Sequence, residues 1–66
     1  MSSEADHSYV PSYAPFNVTK DGFRVWEGSV EGRFICASPG YAHYRGDMKG
    51  VVRFIERTRL EFAAAR

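Results

Sequence analysis

Cys36 and His43 are the residues whose types come closest to supporting nucleophilic catalysis. A cysteine nucleophile needs a base within hydrogen-bond reach and an accessible, electropositive setting. Cys36 instead lies in the apolar run at residues 34–37, where a free cysteine behaves as a small hydrophobic residue. We expect no catalytic residues and no enzyme activity. An enzyme built around Cys36, His43 and Tyr44 is kept only as a third alternative.

Cys36 and His43 as metal ligands give two donors without a clustered third and fourth, so neither a metal nor a cofactor is expected. A single cysteine cannot close an intramolecular disulfide and suits a reducing compartment. The polar, acidic start of the chain resembles neither a signal nor a transit peptide. No apolar run approaches the roughly 18 residues that span a bilayer. These features predict a soluble, cytoplasmic protein with no membrane contact.

Lys49, Arg53 and Arg57 recur four residues apart and would form a basic stripe on one side of a helix. Like charges at this spacing repel slightly, so the stripe does not serve helix stability alone. Contact with phosphates or with an acidic partner would explain it. An ordinary solvated helix face is the simpler interpretation. Residues 48–66 hold five basic and two acidic residues, far below the density of a dedicated DNA-binding arm.

Arg24 and Trp26 would share one face of a strand with few other apolar side chains. Arginine and aromatic residues on such a sheet face can contact nucleic acid. A cover formed by the N-terminal arm or by a second subunit is the alternative that we favour. The arm offers apolar side chains for this purpose, namely Tyr9, Val10 and Tyr13.

Arg45, Gly46 and Asp47 spell the tripeptide that integrins recognise in adhesion proteins. Here the tripeptide precedes an apolar run with helical spacing. Aspartate is a favourable N-cap residue, because its side chain accepts a hydrogen bond from the first turn and its charge suits the helix dipole. We therefore interpret Asp47 as a helix cap.

A β-hairpin is predicted around Asp21-Gly22, which separates the β-prone residues 16–20 and 23–27. Asp-Gly is typical of a two-residue type I′ turn, which requires positive φ at both positions. The turn predicts these cross-strand pairs: Lys20 with Phe23, Val18 with Val25, and Phe16 with Glu27. Arg33 to Ala37 would form a third strand, which residues 38–40, Ser-Pro-Gly, end.

A helix is predicted to begin between Tyr44 and Met48 and to extend to Ala65, about 27 Å at 1.5 Å per residue. The predicted fold class is α+β, with a three-stranded antiparallel sheet (β-β-β) packed on one C-terminal helix. Residues 1–15 would form a flexible N-terminal arm and residues 16–66 a single β-β-β-α domain. The predicted core is Phe16, Val18, Val25, Phe34, Cys36, Val51, Val52 and Ile55.

Residues 32–41, which read GRFICASPGY, and residues 49–54, which read KGVVRF, carry a family resemblance. They resemble the strand-and-turn signature and the helix of the YegP-like domains, small proteins of uncharacterised function. The match covers about residues 16–56. It departs at Trp26-Glu27, at residues 42–44 and in its longer C-terminal helix. The resemblance implies a three-stranded antiparallel sheet on one helix, often paired as a homodimer or as a tandem repeat.

A chain of 66 residues buries only about 60% of the surface that its unfolded form exposes, so association is an expected source of stability. We predict a non-enzymatic binding module that contacts another protein and forms a homodimer. Its size also suits an adaptor, or an inhibitor encoded by a phage or mobile element. The predicted partner-binding residues are Arg24, Trp26, Leu60 and Phe62. The alternative is a nucleic-acid-binding protein that uses Lys49, Arg53 and Arg57 together with Arg24 and Trp26.

Overall fold

A computed structural model describes residues 10–40 and 42–65 of the chain. These residues form four strands and one helix: β1 (Asn17–Val18), β2 (Arg24–Glu27), β3 (Phe34–Ala37), β4 (His43–Gly46) and α1 (Met48–Ala65). The sheet is antiparallel in the order β1-β2-β3-β4, and α1 packs mainly on β4 and β3. The α+β class and the C-terminal helix are confirmed, whereas the prediction of three strands is wrong.

The additional strand, β4, takes up most of the range from Tyr44 to Met48 in which the helix was predicted to begin. After Ser38 the chain turns back, and the Ser38 N–H donates to the Ala42 carbonyl oxygen (3.0 Å). Tyr44 then lies opposite Cys36 in the ladder with β3. Four residues with a single large apolar side chain carry little strand signal of their own. Pairing with β3 makes them a strand, because the ladder satisfies their backbone groups and packs Tyr44 on the core.

Asp47 is the N-cap of α1, as predicted. Its carboxylate accepts a hydrogen bond from the Gly50 N–H (2.9 Å), and its carbonyl oxygen accepts from the Val51 N–H (3.0 Å). The first turn of α1 also lies very close to β4, since a Cβ at Gly50 would overlap the Tyr44 hydroxyl. Glycine at this position therefore permits the close helix–strand contact, although it lowers helix propensity by about 1 kcal/mol relative to alanine.

The β1–β2 hairpin has a longer turn than predicted, which changes its register. The Thr19 N–H donates to the Phe23 carbonyl oxygen (2.9 Å), and the Gly22 N–H donates to the Thr19 carbonyl oxygen (3.0 Å). Gly22 has a φ of 100°, as expected for a three-residue loop that ends in a glycine bulge. Val18 consequently lies opposite Arg24, and the predicted pairing of Val18 with Val25 is wrong by one residue.

The register shift explains why Val18, a predicted core residue, is at the surface. A shift of one residue moves a side chain to the other face of the sheet, and Val18 is more than half exposed. Phe16, also predicted for the core, lies just before β1 and is more than half exposed as well. Phe16 keeps an edge contact with the Phe34 ring, with centroids 6.0 Å apart. Val52 is also exposed, because α1 turns Val51 toward the sheet instead.

The observed core lies between the sheet and α1. Four apolar side chains are buried there, and four more are partly buried around them. The buried residues are Phe23, Val25, Cys36 and Val51, and the surrounding residues are Phe34, Tyr44, Phe54 and Ile55. Phe54 contacts two of these rings, edge-on to Phe23 (6.2 Å) and stacked on Tyr44 (6.0 Å). The prediction is thus confirmed for Val25, Cys36 and Val51, and Phe34 and Ile55 are only partly buried.

Phe23 and Phe16 allow a matched test of this register. Phe23→Ala should lower the free energy of unfolding by about 3–5 kcal/mol, because it leaves a cavity in the core. Phe16→Ala should cost only about 1 kcal/mol, the contribution of an exposed aromatic edge contact. Urea unfolding followed by circular dichroism measures both. Equal losses in the two variants would favour the two-residue turn and contradict the observed one.

Candidate functional site

Cys36 and His43 lie on opposite faces of the sheet. Cys36 pairs with Tyr44 across β3 and β4, whereas His43 pairs with Ala37, and successive pairs in a ladder point to alternate faces. Cys36 is buried on the side of α1, and this burial raises the pKa of its thiol to about 11. The thiol is therefore protonated at neutral pH, and the structure does not bring it together with His43 as a base.

The described part of the chain comprises residues 10–40 and 42–65. No group of three or more His, Cys, Asp or Glu side chains in these ranges is placed to hold a metal ion. Within the same part of the chain, α1 is too polar to cross a membrane, and no other helix is present there.

Trp26 is buried, with only 2% of its surface exposed, and its role in partner binding stays a prediction. It lies on the face of the sheet away from α1, where the segment before β1 covers it. Its indole Nε1–H donates to the Tyr13 carbonyl oxygen (2.7 Å), and the Tyr13 hydroxyl donates to the Glu27 carbonyl oxygen (3.2 Å). The Arg24 guanidinium lies 5.5 Å from the centroid of the Trp26 ring. The favoured alternative, a cover by the N-terminal arm, is confirmed for Tyr13.

The covering segment belongs to the predicted flexible arm. Val10 is partly buried and Pro11 is buried, so this arm contributes to the folded domain at least from residue 10 onward. Tyr9, the third residue predicted to form the cover, lies outside the described residues, as do the rest of residues 1–9, Tyr41 and Arg66.

Lys49, Arg53 and Arg57 are exposed on α1, and none of them forms an ion pair with another described residue. They lie on the side of the helix that faces away from the sheet. Arg24 and Trp26 lie on the opposite face of the sheet. The residues proposed for nucleic-acid contact are therefore divided between two sides of the molecule, and the structure does not join them into one surface.

Leu60 and Phe62 are both exposed near the end of α1, at 72% and 44% of their surfaces. Residues two apart on a helix point about 200° away from each other. Leu60 therefore shares the outer side of α1 with Arg53 and Arg57, whereas Phe62 lies on the side that continues toward the core. A single flat partner surface cannot cover Leu60 and Phe62 together.

A row of mostly apolar residues runs along one flank of α1 with alternating spacings of four and three residues. We call it the flank stripe; its members are Met48, Val52, Ile55, Arg59 and Phe62. Ile55 also packs on the core, but Met48 and Val52 expose 40% and 48% of their surfaces. This spacing is that of the a and d positions of a heptad repeat, which meet a partner helix in coiled coils.

Arg59, the one charged member of the flank stripe, forms the ion pair that sequence reasoning missed. Its Nε donates to Asp21 Oδ2 (2.8 Å) and its Nη2 to Asp21 Oδ1 (3.0 Å). The same guanidinium lies 5.5 Å from the centroid of the Phe23 ring. A charged residue within an apolar row indicates that Arg59 needs a partner. The sequence could not identify Asp21 as that partner, because the two residues are 38 positions apart.

Asp21 should make the stability of the domain depend on pH. Its hydrogen bonds with the Arg59 guanidinium and the Thr19 hydroxyl hold its pKa well below the ordinary value of 3.8. A carboxyl with a lowered pKa stabilises the fold above its unfolded-state pKa, and this contribution is lost as the pH falls through the folded-state pKa.

Wild type should therefore unfold at higher urea than Asp21→Asn at pH 7, and the difference should shrink below about pH 4. Glu31→Gln, which removes a carboxylate from the exposed β2–β3 loop, is the control and should show little difference at pH 7. A pH-independent difference between wild type and Asp21→Asn would contradict the role of this ion pair.

Comparisons with known proteins leave the family of the chain open. No family model, no curated protein and no solved structure matches the chain. The resemblance of residues 32–41 and 49–54 to the YegP-like domains therefore stays a prediction.

Proposed function

We propose that this chain is a non-enzymatic binding module that forms a homodimer through the flank stripe of α1 and contacts another protein through the outer side of the same helix. The exposure of Met48, Val52 and Phe62 at heptad spacing is the observation that carries the proposal. A small domain that leaves such a row of apolar side chains in water gains stability when a second helix covers it.

Arg59 is compatible with a helix–helix contact because Asp21 already balances its positive charge. An unpaired arginine at an a position would have to lose its hydration when the second helix packs on it. Here the bidentate contact with Asp21 supplies a counter-charge from the same chain. The cavity beside this pair, about 300 Å³ and lined by Asp21, Arg59, Phe62 and Ala63, offers room for a side chain of the second copy.

The charges that flank the stripe favour an antiparallel dimer. With Met48 and Val52 as d and a positions, Lys49 and Glu56 occupy e positions. In an antiparallel pair e positions face each other, so Lys49 of each copy would approach Glu56 of the other. A parallel pair would bring e positions against Val51 and Thr58, which are buried on the sheet side. Opposite charges at such flanking positions set orientation more than affinity.

The outer side of α1 remains available in this dimer. Leu60 is the most exposed large apolar residue there, and Arg53 and Arg57 precede it by two turns and one turn. An apolar contact beside two cations suits a protein partner with an acidic rim around an apolar pocket. Arg24 and Trp26 are not part of this surface, because Trp26 is covered by the segment that contains Tyr13.

Val52 and Leu60 provide a matched pair for testing the dimer. Sedimentation equilibrium of wild type at micromolar concentration should give about twice the chain mass of 7.5 kDa, with a melting temperature that rises with concentration. Val52→Asp should give a monomer, because it places a charge in the helix contact. Leu60→Asp makes the same change on the outer side and should leave the dimer intact. A monomeric wild type, or equal effects of the two variants, would contradict the proposed interface.

Binding of nucleic acid is the second candidate function, favoured by the three exposed cations of α1 that lack an ion pair within the described residues. The triple variant Lys49→Gln/Arg53→Gln/Arg57→Gln tests this function. If these side chains meet phosphates, the triple variant should bind a random-sequence duplex more weakly, and its salt slope should flatten by roughly one unit per lost contact. Fluorescence anisotropy at several salt concentrations measures both. Unchanged affinity would remove this candidate and leave the outer side of α1 to a protein partner.

A further inference from the structure

A cleft of about 320 Å³ opens at one end of the sheet, where the β2–β3 loop meets the end of β4. Its lining combines Val30 from the loop, Arg33 and Ile35 at β3, Arg45 from β4, and Tyr13 from the covering segment. None of these residues belongs to α1. The cleft is therefore separate from the flank stripe and from the outer side of the helix.

Arg33 and Arg45 reach the cleft because the β3–β4 register places them on one face. Arg45 lies opposite Ile35, and Arg33 precedes Ile35 by two residues, so all three share the face away from α1. Arg33 is held at the loop end by its backbone: its N–H donates to the Val30 carbonyl oxygen (3.0 Å), and its carbonyl oxygen accepts from the Gly28 N–H (2.8 Å). Both arginines thus line the same cleft, Arg45 from β4 and Arg33 from the residue that precedes β3.

The remaining walls of the cleft are largely apolar. Ile35 is partly buried at the sheet, whereas Val30 and Tyr13 are exposed. Arginine binds carboxylates and phosphates through paired N–H donors in a fixed plane, and its flat face also packs on aromatic rings. A cleft with two such groups beside apolar walls matches a small ligand that has an anionic end and a flat apolar body. Its volume lies at the lower end of the range for small-molecule sites, about 300–1,000 Å³.

We propose that this cleft binds a small planar organic anion, with its carboxylate or phosphate group held by Arg33 and Arg45 and its ring packed on Val30, Ile35 and Tyr13. The proposal does not depend on dimerisation or on a protein partner, since the cleft is formed by one chain and lies away from α1.

Titrating the full-length protein with phenyl phosphate and with benzoate tests the proposal, using amide shifts in ¹⁵N-labelled protein. Fragments of this size should bind in the millimolar range, with shifts concentrated at Gly28, Ser29 and Gly46. Stronger binding of phenyl phosphate would identify a phosphate-bearing ligand, and stronger binding of benzoate a carboxylate. Inorganic phosphate and phenol, which each supply half of the ligand, should bind at least about tenfold more weakly.

Substitution of the two arginines separates this site from general attraction of anions. Arg33→Gln and Arg45→Gln should each weaken binding by about tenfold or more, because each removes a charge-assisted contact. Arg53→Gln removes the same charge from the outer side of α1 and should leave the affinity unchanged. Arg33 lies outside the strands, so its variant remains informative if Arg45→Gln disturbs β4. Shifts spread over the whole surface, or equal effects of Arg33→Gln and Arg53→Gln, would overturn the proposal.

Discussion

The turn from Thr19 to Gly22 is the constraint on which most of the domain depends. The Thr19 hydroxyl accepts a hydrogen bond from the Phe23 N–H (2.9 Å) and donates to Asp21 Oδ1 (2.7 Å), which fixes the loop from within. Gly22 then closes the loop at positive φ, where a side chain would be strained. This geometry buries Phe23, and it presents the Asp21 carboxylate to Arg59 on α1.

The sequence predicted those parts of the fold that depend on interactions between residues close together in the chain. The Asp47 cap and the apolar spacing after it predicted α1, because capping and helical periodicity act over a few residues. Asp-Gly predicted a hairpin but not its register, since both a type I′ turn and a glycine bulge accept this pair. The strand β4 had no comparable signal, because it forms only through pairing with β3 and through the space that Gly50 leaves for Tyr44.

The sequence predicted the candidate binding surfaces only in part. The basic residues of α1 and the exposure of Leu60 follow from helical spacing alone. The burial of Trp26 depends on how a segment 13 residues earlier in the chain lies on the sheet, which spacing cannot show. The cleft depends on the β3–β4 register that sets Arg45 opposite Ile35, and without β4 in the prediction these side chains could not be placed together. Contacts of long sequence separation thus decide which candidate residues are available for binding.

The Asp21–Arg59 pair links the fold to the proposed dimer. A core of four buried apolar side chains is small, so contacts at its margin matter for whether α1 stays on the sheet. Arg59 lies over Phe23 and is also a member of the flank stripe. Protonation of Asp21 would leave the Arg59 charge unmatched both at the margin of the core and in the helix contact. Loosening of α1 and dissociation of the dimer should therefore occur together as the pH falls, because both depend on the same guanidinium–carboxylate contact.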